Sequence, residues 1–187
     1  MKKIITDCDG VLLDWAFAFD VWMREQGYFR LPNTDHYFSQ AKRYGIDEKE
    51  AFDQINLFNQ TGALGFIPAY KDSVEYVTKL AREGWRFDVI TMIGKDKYAH
   101  RLRKINLQHL FGDVFDEIHC SGEFTESKKG VLEKYKDSGL VWIEDRVDYA
   151  IDGDEMGLKT HMMDWPYNRE YEGRRVSSWK EIYDSTH

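Results

Sequence analysis

Asp7 and Asp9 stand two positions apart, where the short apolar stretch Ile4-Ile5-Thr6 gives way to Gly10. This is the spacing of a strand end running into a sharp turn, which glycine permits because it tolerates positive φ. If Asp7 closes the strand, its carboxylate points into the crevice beyond the strand end. A turn at Gly10 then brings Asp9 back over the same space. Two carboxylates this close do not both ionise cheaply unless a cation lies between them or one keeps a proton. That asymmetry suits a division of labour, with one group as nucleophile or metal ligand and the other as general acid and base. The same four residues also describe an ordinary acidic turn, so the rest of the chain has to decide between the two.

Three other places carry matching chemistry. Thr91 ends the β-rich run WRFDVIT, where its hydroxyl and neighbouring N–H groups could hold an anionic oxygen. Lys128 and Lys129 open a helical stretch, where a lysine neutralises a phosphate and the helix start itself favours anions. Glu144 and Asp145 end the run GLVWIE, with Asp148 one turn further on. Hard carboxylate oxygens with open water positions suit Mg²⁺. Taken singly, Thr91 is a strand-end cap, the lysines a solvated helix face, and Glu144 and Asp145 a helix cap. Four such readings in this order, at these positions, are less economical than one shared site.

The elements that would position these residues follow from periodicity. Strands are expected over 2–7, 85–91, 113–120, 139–144 and 158–163, and helices over 71–83, 96–106, 128–136 and 147–156. Strands alternating with helices predict a mostly parallel sheet covered on both faces, with its chemistry in the crevice at the carboxyl ends of the strands. Residues 14–68 break the alternation and read as three helices, over about 14–27, 34–44 and 47–59, the third opened by a capping box of Asp47 and Glu50. This predicts a helical insertion over the strand ends. It is rich in aromatics, including Trp15, Phe17, Phe19, Trp22, Phe38, Tyr44, Phe52 and Phe58. Most such rings hold a small bundle together, and one or two are expected to face the cleft.

Composition narrows the field. The 187 residues carry 26 basic and 33 acidic side chains, a net charge of −7 that repels long nucleic acids and anionic membranes. No run approaches the ~18–20 apolar residues of a membrane span, and the start of the chain does not read as a signal peptide. The two cysteines form no framework, so reduced thiols and a cytoplasmic setting are expected. Cys8, between two acids, reads as a protonated strand-end side chain rather than a thiolate. The basic run Lys95, Lys97, His100, Arg101, Arg103 and Lys104 reads as a solvated helix face, and His119 and His161 as structural. The GDE stretch at 153–155, among acids, does not fit a calcium loop.

The segments DCDGVLLDW (7–15), DVITMIG (88–94), SKKGVL (127–132) and VWIEDRVDYA (141–150), in this order, resemble the haloacid dehalogenase superfamily of phosphohydrolases. The resemblance spans the chain. It implies a three-layer Rossmann-like α/β sandwich, with a core of 1–13 and 69–187 and a small helical cap of 14–68 inserted after the first strand. Within that superfamily, LGFIPAYKDSVEYVTKL (64–80), EDRVD (144–148) and RRVSSWKEIYDS (174–185) resemble the 5'(3')-deoxyribonucleotidases. Carried over by position, Asp7 would be the nucleophile that takes the phosphoryl group and Asp9 the general acid and base. Asp7, the backbone carbonyl of Asp9, and Asp145 would bind Mg²⁺. Thr91 and one of Lys128 and Lys129 would bind phosphate. Lys128 is preferred, because Lys129 beside Gly130 lies inside the helix.

Two features depart from the nucleotidases. The fourth segment reads Glu-Asp rather than Asp-Asp, and MIGKDKYAHRLRK after Thr91 lacks a serine-proline turn. The resemblance implies Mg²⁺-dependent hydrolysis of a nucleoside monophosphate, with the base against Trp15, Phe19 or Trp22. The alternatives are a phosphatase or phosphomutase acting on a sugar phosphate or other small metabolite, a polynucleotide-end phosphatase, and a non-catalytic binding protein of the same fold. The last has no need of both Asp7 and Asp9.

Overall fold

A computed structural model describes residues 2–123 and 126–187. Six strands form one parallel sheet in the order β3-β2-β1-β4-β5-β6. They are β1 (Lys2–Thr6), β2 (Trp85–Met92), β3 (Phe115–Ser121), β4 (Val141–Glu144), β5 (Lys159–Met163) and β6 (Arg175–Val176). Five match the expected strands to within a few residues. β6 was not foreseen, because two residues carry no periodicity.

The chain winds outward from β1 through β2 to β3, then returns to pair β4 on the other side of β1. The order therefore reverses between β1 and β4, which makes a crevice at their carboxyl ends. The backbone N–H of Asp7 donates to the carbonyl of Ile143 at 2.8 Å, joining the two edges of that crevice.

Alternation along each strand sorts the core into two layers. Ile4, Phe87, Val89 and Ile143 pack on one face, with Val77, Leu80, Leu107 and Trp179 from the helices α4 (Lys71–Arg82), α5 (Lys97–Phe111) and α8 (Trp179–Asp184). Ile5, Ile90 and Trp142 pack on the other, with Leu132, Tyr135 and Leu158. That second face is covered by α6 (Lys129–Leu132), the 3₁₀ turn Glu133–Tyr135 and α7 (Val147–Glu155). The stretch expected as one helix over 128–136 is thus a single α-turn tightened into 3₁₀. Gly153 sits inside α7 where a Cβ would come within 2.3 Å of the Trp142 ring, so the glycine serves close helix–sheet packing.

Between β1 and α4 stand α1 (Trp15–Glu25), α2 (Gln40–Tyr44) and α3 (Glu48–Gln60). Asp14 caps α1 by accepting from the N–H of Phe17. The second helix is shorter than the 34–44 expected. Asn33 takes a left-handed φ of 60° and Thr34–Tyr37 close a turn, so the helix begins only after Ser39, whose hydroxyl accepts from the N–H of Lys42. At α3 half of the capping box forms. Asp47 accepts from the N–H of Glu50, while the Glu50 carboxylate accepts from the Tyr28 hydroxyl at 2.5 Å instead. Among the described residues no helix is long and apolar enough to cross a membrane.

Candidate active site

Asp7 is the first residue past β1, Thr91 is the penultimate residue of β2, and Glu144 ends β4 with Asp145 immediately after. These three strand ends are adjacent in the sheet. Lys128, just before α6, reaches in from the second face and is almost wholly buried. Its Nζ donates to Oδ1 of Asp7 and to Oε2 of Glu144, both at 2.7 Å. Burial works against the lysine's charge, but the two carboxylates outweigh it and hold its pKa above the ordinary value. Asp152 on α7 fixes the start of α6, accepting from the backbone N–H of Lys128 and from the Ser127 hydroxyl, each at 2.8 Å.

Lys129 turns the other way. Its half-exposed Nζ lies 2.5 Å from Glu155 and 3.8 Å from the buried Asp152, so of the two candidate lysines Lys128 alone lines the cleft.

Asp7, Glu144 and Asp145 each offer an oxygen within 4.8 Å of the others. Glu144 is already committed. Its Oε1 accepts from the N–H groups of Asp145 and Arg146, and its Oε2 takes Lys128. That leaves Asp7 and Asp145 as donors. Three buried carboxylates face one lysine, an excess of negative charge that a divalent cation would offset. Burial, together with the charges of Glu144 and Asp7, pushes the Asp145 carboxyl well above the ordinary carboxylate range. The residues present therefore fit Mg²⁺.

The loop after Asp7 is shaped by Gly10. It holds φ +77°, and a Cβ there would stand 2.2 Å from Oδ2 of Asp145. Only glycine lets that carboxylate lie across the turn. The segment following β5 braces the same turn from outside. Trp165 donates from Nε1 to the Gly10 carbonyl at 2.8 Å, Tyr167 donates to Oδ2 of Asp145 at 2.5 Å, and Asn168 donates to the Asp145 carbonyl at 2.7 Å. None of these three residues is among the site candidates read from the sequence. A cluster of Trp, Tyr and Asn at the carboxyl end of a predicted strand was the available signal.

Asp9 is gripped by Arg103 of α5. The arginine's Nη2 donates to Oδ2 at 2.7 Å, and its Nη1 lies 2.7 Å from Oδ1. Arg103 is fully buried, which corrects its reading as part of a solvated face. The surface pattern of Lys95, Lys97 and Arg101 concealed one member pointing inward. Burial raises the Asp9 carboxyl, Arg103 opposes the shift and Asp7 adds to it, with a net rise.

Above these groups lies a cavity of about 800 Å³. Its floor includes Asp7, Asp9, Thr91, Lys128 and Asp145, and its walls include Trp15, Phe17, Phe38, Phe52, Arg43 and Arg146. Phe19 and Trp22, expected against a base, are instead buried in the aromatic cluster of the helical segment. Phe19 stacks on Trp15 with ring centres 4.6 Å apart, and Trp22 meets Phe58 edge-on at 5.7 Å. Both lie on α1, on the face turned toward α3 rather than toward the sheet.

No protein-family model matches the chain. A 24% identical relative, over 190 residues, is an uncharacterized 32.4 kDa protein in the Gp30-rIII intergenic region of Enterobacteria phage T4; the match covers 96% of this chain and 67% of that protein. Among solved structures, a haloacid dehalogenase-like hydrolase from Streptococcus pneumoniae is similar with a TM-score of 0.71 at 14% identity, over 100% of this chain and 99% of that one. The CbbY protein of Rhodobacter sphaeroides, solved in complex with phosphate, gives 0.62 at 17% identity, covering 97% and 96% of the two chains. A D,D-heptose 1,7-bisphosphate phosphatase from B. bronchiseptica, complexed with magnesium and phosphate, gives 0.60 at 12% identity, covering 100% and 98%. The chain has the haloacid dehalogenase-like α/β fold.

Proposed function

We propose that this chain is a Mg²⁺-dependent phosphomonoester hydrolase that works through an aspartyl phosphate on Asp7, with nucleoside monophosphates as its substrates. The observation that carries the reading is the convergence of Asp7, Asp9, Thr91, Lys128 and Asp145 on one cavity floor at the switch point of the sheet. A phosphoryl group asks chiefly for positioning and charge neutralisation. Asp7 and Asp145, with the backbone carbonyl of Asp9, would hold Mg²⁺, which supplies positive charge where two anions must meet.

The chain's own residues do the rest. The free oxygen of Asp7 attacks phosphorus while the bond to the leaving oxygen breaks, and Asp9 gives that oxygen its proton. Water then attacks the acyl phosphate, Asp9 takes the water proton back, and Asp7 is released with inorganic phosphate. Lys128 and the Thr91 hydroxyl hold the phosphoryl oxygens. Glu144 keeps Lys128 in place.

The flat walls of Trp15, Phe17, Phe38 and Phe52, in a cavity within the usual ~300–1,000 Å³ range for small ligands, favour a planar leaving group. The helical segment 14–68 acts as the cap that supplies these walls. A sugar phosphate is the second reading, favoured by the likeness to the heptose bisphosphate phosphatase. Comparing kcat/KM for nucleoside monophosphates and sugar phosphates tests the choice. Higher values throughout the nucleotide set are expected, and a preference for sugar phosphates would replace the nucleotidase reading.

A further inference from the structure

Arg103 is a charged side chain entirely removed from water, midway along α5. Its surroundings give it little in return apart from Asp9. Nη1 donates to the sulfur of Cys8 at 3.2 Å, a weak acceptor, and Nε has no hydrogen-bond partner among the described residues. Its flanking buried neighbours on the same helix are Ala99, Asn106 and Leu107, where an apolar residue would pack without losing hydration. What the guanidinium gains is one hydrogen bond from Nη2 to Oδ2 of Asp9 and a close ion-pair contact of Nη1 with Oδ1, which has no hydrogen-bond partner among the described residues. Asp9 is about a quarter exposed (26% of its side chain) and lines the cavity, whereas Arg103 is covered. Arg103 thus holds the carboxylate from behind, with Oδ1 covered and the exposed part of the side chain toward the cleft.

We propose that Arg103 is a positioning residue for proton transfer: its two contacts with Asp9, a hydrogen bond to Oδ2 and an ion-pair contact with Oδ1, fix the rotamer of Asp9 so that its carboxyl group meets the leaving oxygen of a phosphomonoester seated on Asp7. The assignment rests on the phosphomonoesterase reading above. A guanidinium contacts both carboxylate oxygens in one plane and so restricts rotation about the last side-chain bond, whereas an ammonium is a point charge that leaves rotation free. A proton donor must lie within hydrogen-bond reach of the leaving atom, and a misplacement of about 1 Å costs on the order of 10²-fold in rate.

The test uses the dependence on leaving group. kcat/KM is measured for a series of substituted phenyl phosphates whose phenols differ in acidity, with Mg²⁺ present. It reports the step in which the leaving oxygen departs. Weakly acidic phenols need the proton, and strongly acidic ones leave without it. Arg103→Met is expected to lower the rate ~100-fold for the least acidic phenol and only a few-fold for the most acidic, steepening the plot. Arg103→Lys is expected to fall between, and it carries the same comparison if Arg103→Met does not fold. In an Asp9→Asn background, Arg103→Met should add no further loss. A uniform drop across the series, or a full additional loss on top of Asp9→Asn, overturns the assignment alone. A wild-type chain that hydrolyses neither these esters nor any nucleoside monophosphate or sugar phosphate overturns the phosphomonoesterase reading and the assignment with it.

Discussion

The Nζ of Lys128 and Oδ1 of Asp7 lie 2.7 Å apart across 121 residues of sequence, and the same ammonium reaches Glu144 at an equal distance. One buried cation thus balances two carboxylates from neighbouring strand ends. Removing it leaves both uncompensated, which for buried pairs costs about 3–5 kcal/mol. Lys128→Met is expected to destabilise by that order in denaturant unfolding and to abolish phosphatase activity. Lys129→Met, which breaks only the half-exposed contact to Glu155 and a longer one to buried Asp152, should leave activity unchanged. Equal losses from both lysines would contradict the separation of their roles.

Gly10 and Asp145 make the second constraint. A methyl group at Gly10 meets the Asp145 carboxylate at 2.2 Å and forces a left-handed φ on alanine. Gly10→Ala is expected to cost about 1–3 kcal/mol. It should also raise the Mg²⁺ concentration for half-maximal activity ~10–100-fold, the usual scale when the support of a metal ligand is disturbed. A Mg²⁺ titration of activity checks this, and an unchanged midpoint would remove Asp145 from the metal site.

Trp15 and Phe19 stack on each other but face different surroundings, the cavity for Trp15 and the aromatic cluster for Phe19. Phe19→Ala is expected to cost about 3–5 kcal/mol, with kcat/KM per folded molecule little altered. Trp15→Ala should instead raise KM more than it lowers stability. Thermal unfolding and steady-state kinetics on both variants separate the two roles.

Much of this was legible beforehand because strand ends announce themselves. An apolar run stopped by a polar residue fixes both a strand and the residue at its carboxyl end, and Asp7, Thr91 and Asp145 were found that way. Lys128 and Lys129 both followed from their place at the start of a helix, with Lys128 preferred. Arg103 was hidden because one inward charge on a charged helix face breaks no pattern, and its partner Asp9 lies 94 residues away. Trp165, Tyr167 and Asn168 were hidden because they stand at and in the single 3₁₀ turn Pro166–Asn168, too short for sequence periodicity to assign a direction to side chains. Phe19 and Trp22 were misplaced for a related reason: the pattern shows that a helix face is apolar but not what covers it.

His161 gives the fold a pH dependence separate from the site. It is buried in β5 with Nδ1 unpartnered among the described residues, and burial, aided by Arg174 and Lys159, lowers its pKa to about 4 from 6.5. The unfolded chain therefore binds a proton at pH values where the folded chain does not. Stability from this residue is complete above pH 6.5 and is lost as the pH falls toward 4, by about 3 kcal/mol in all. His161→Gln should flatten the curve of unfolding free energy between pH 7 and 4 relative to wild type. Parallel curves would contradict the neutral, buried state.

The most direct test of the proposed chemistry is to stop turnover with acid and look for phosphate on the chain. Wild-type protein, mixed with Mg²⁺ and a nucleoside monophosphate and quenched during the first turnovers, is digested and analysed by mass spectrometry. One phosphoryl group on the peptide containing Asp7, absent from Asp7→Asn and increased in Asp9→Asn when an acidic phenyl phosphate is the donor, is the predicted result. Hydrolysis at an undiminished rate by Asp7→Asn, or a phosphoryl group on any other residue, would contradict it.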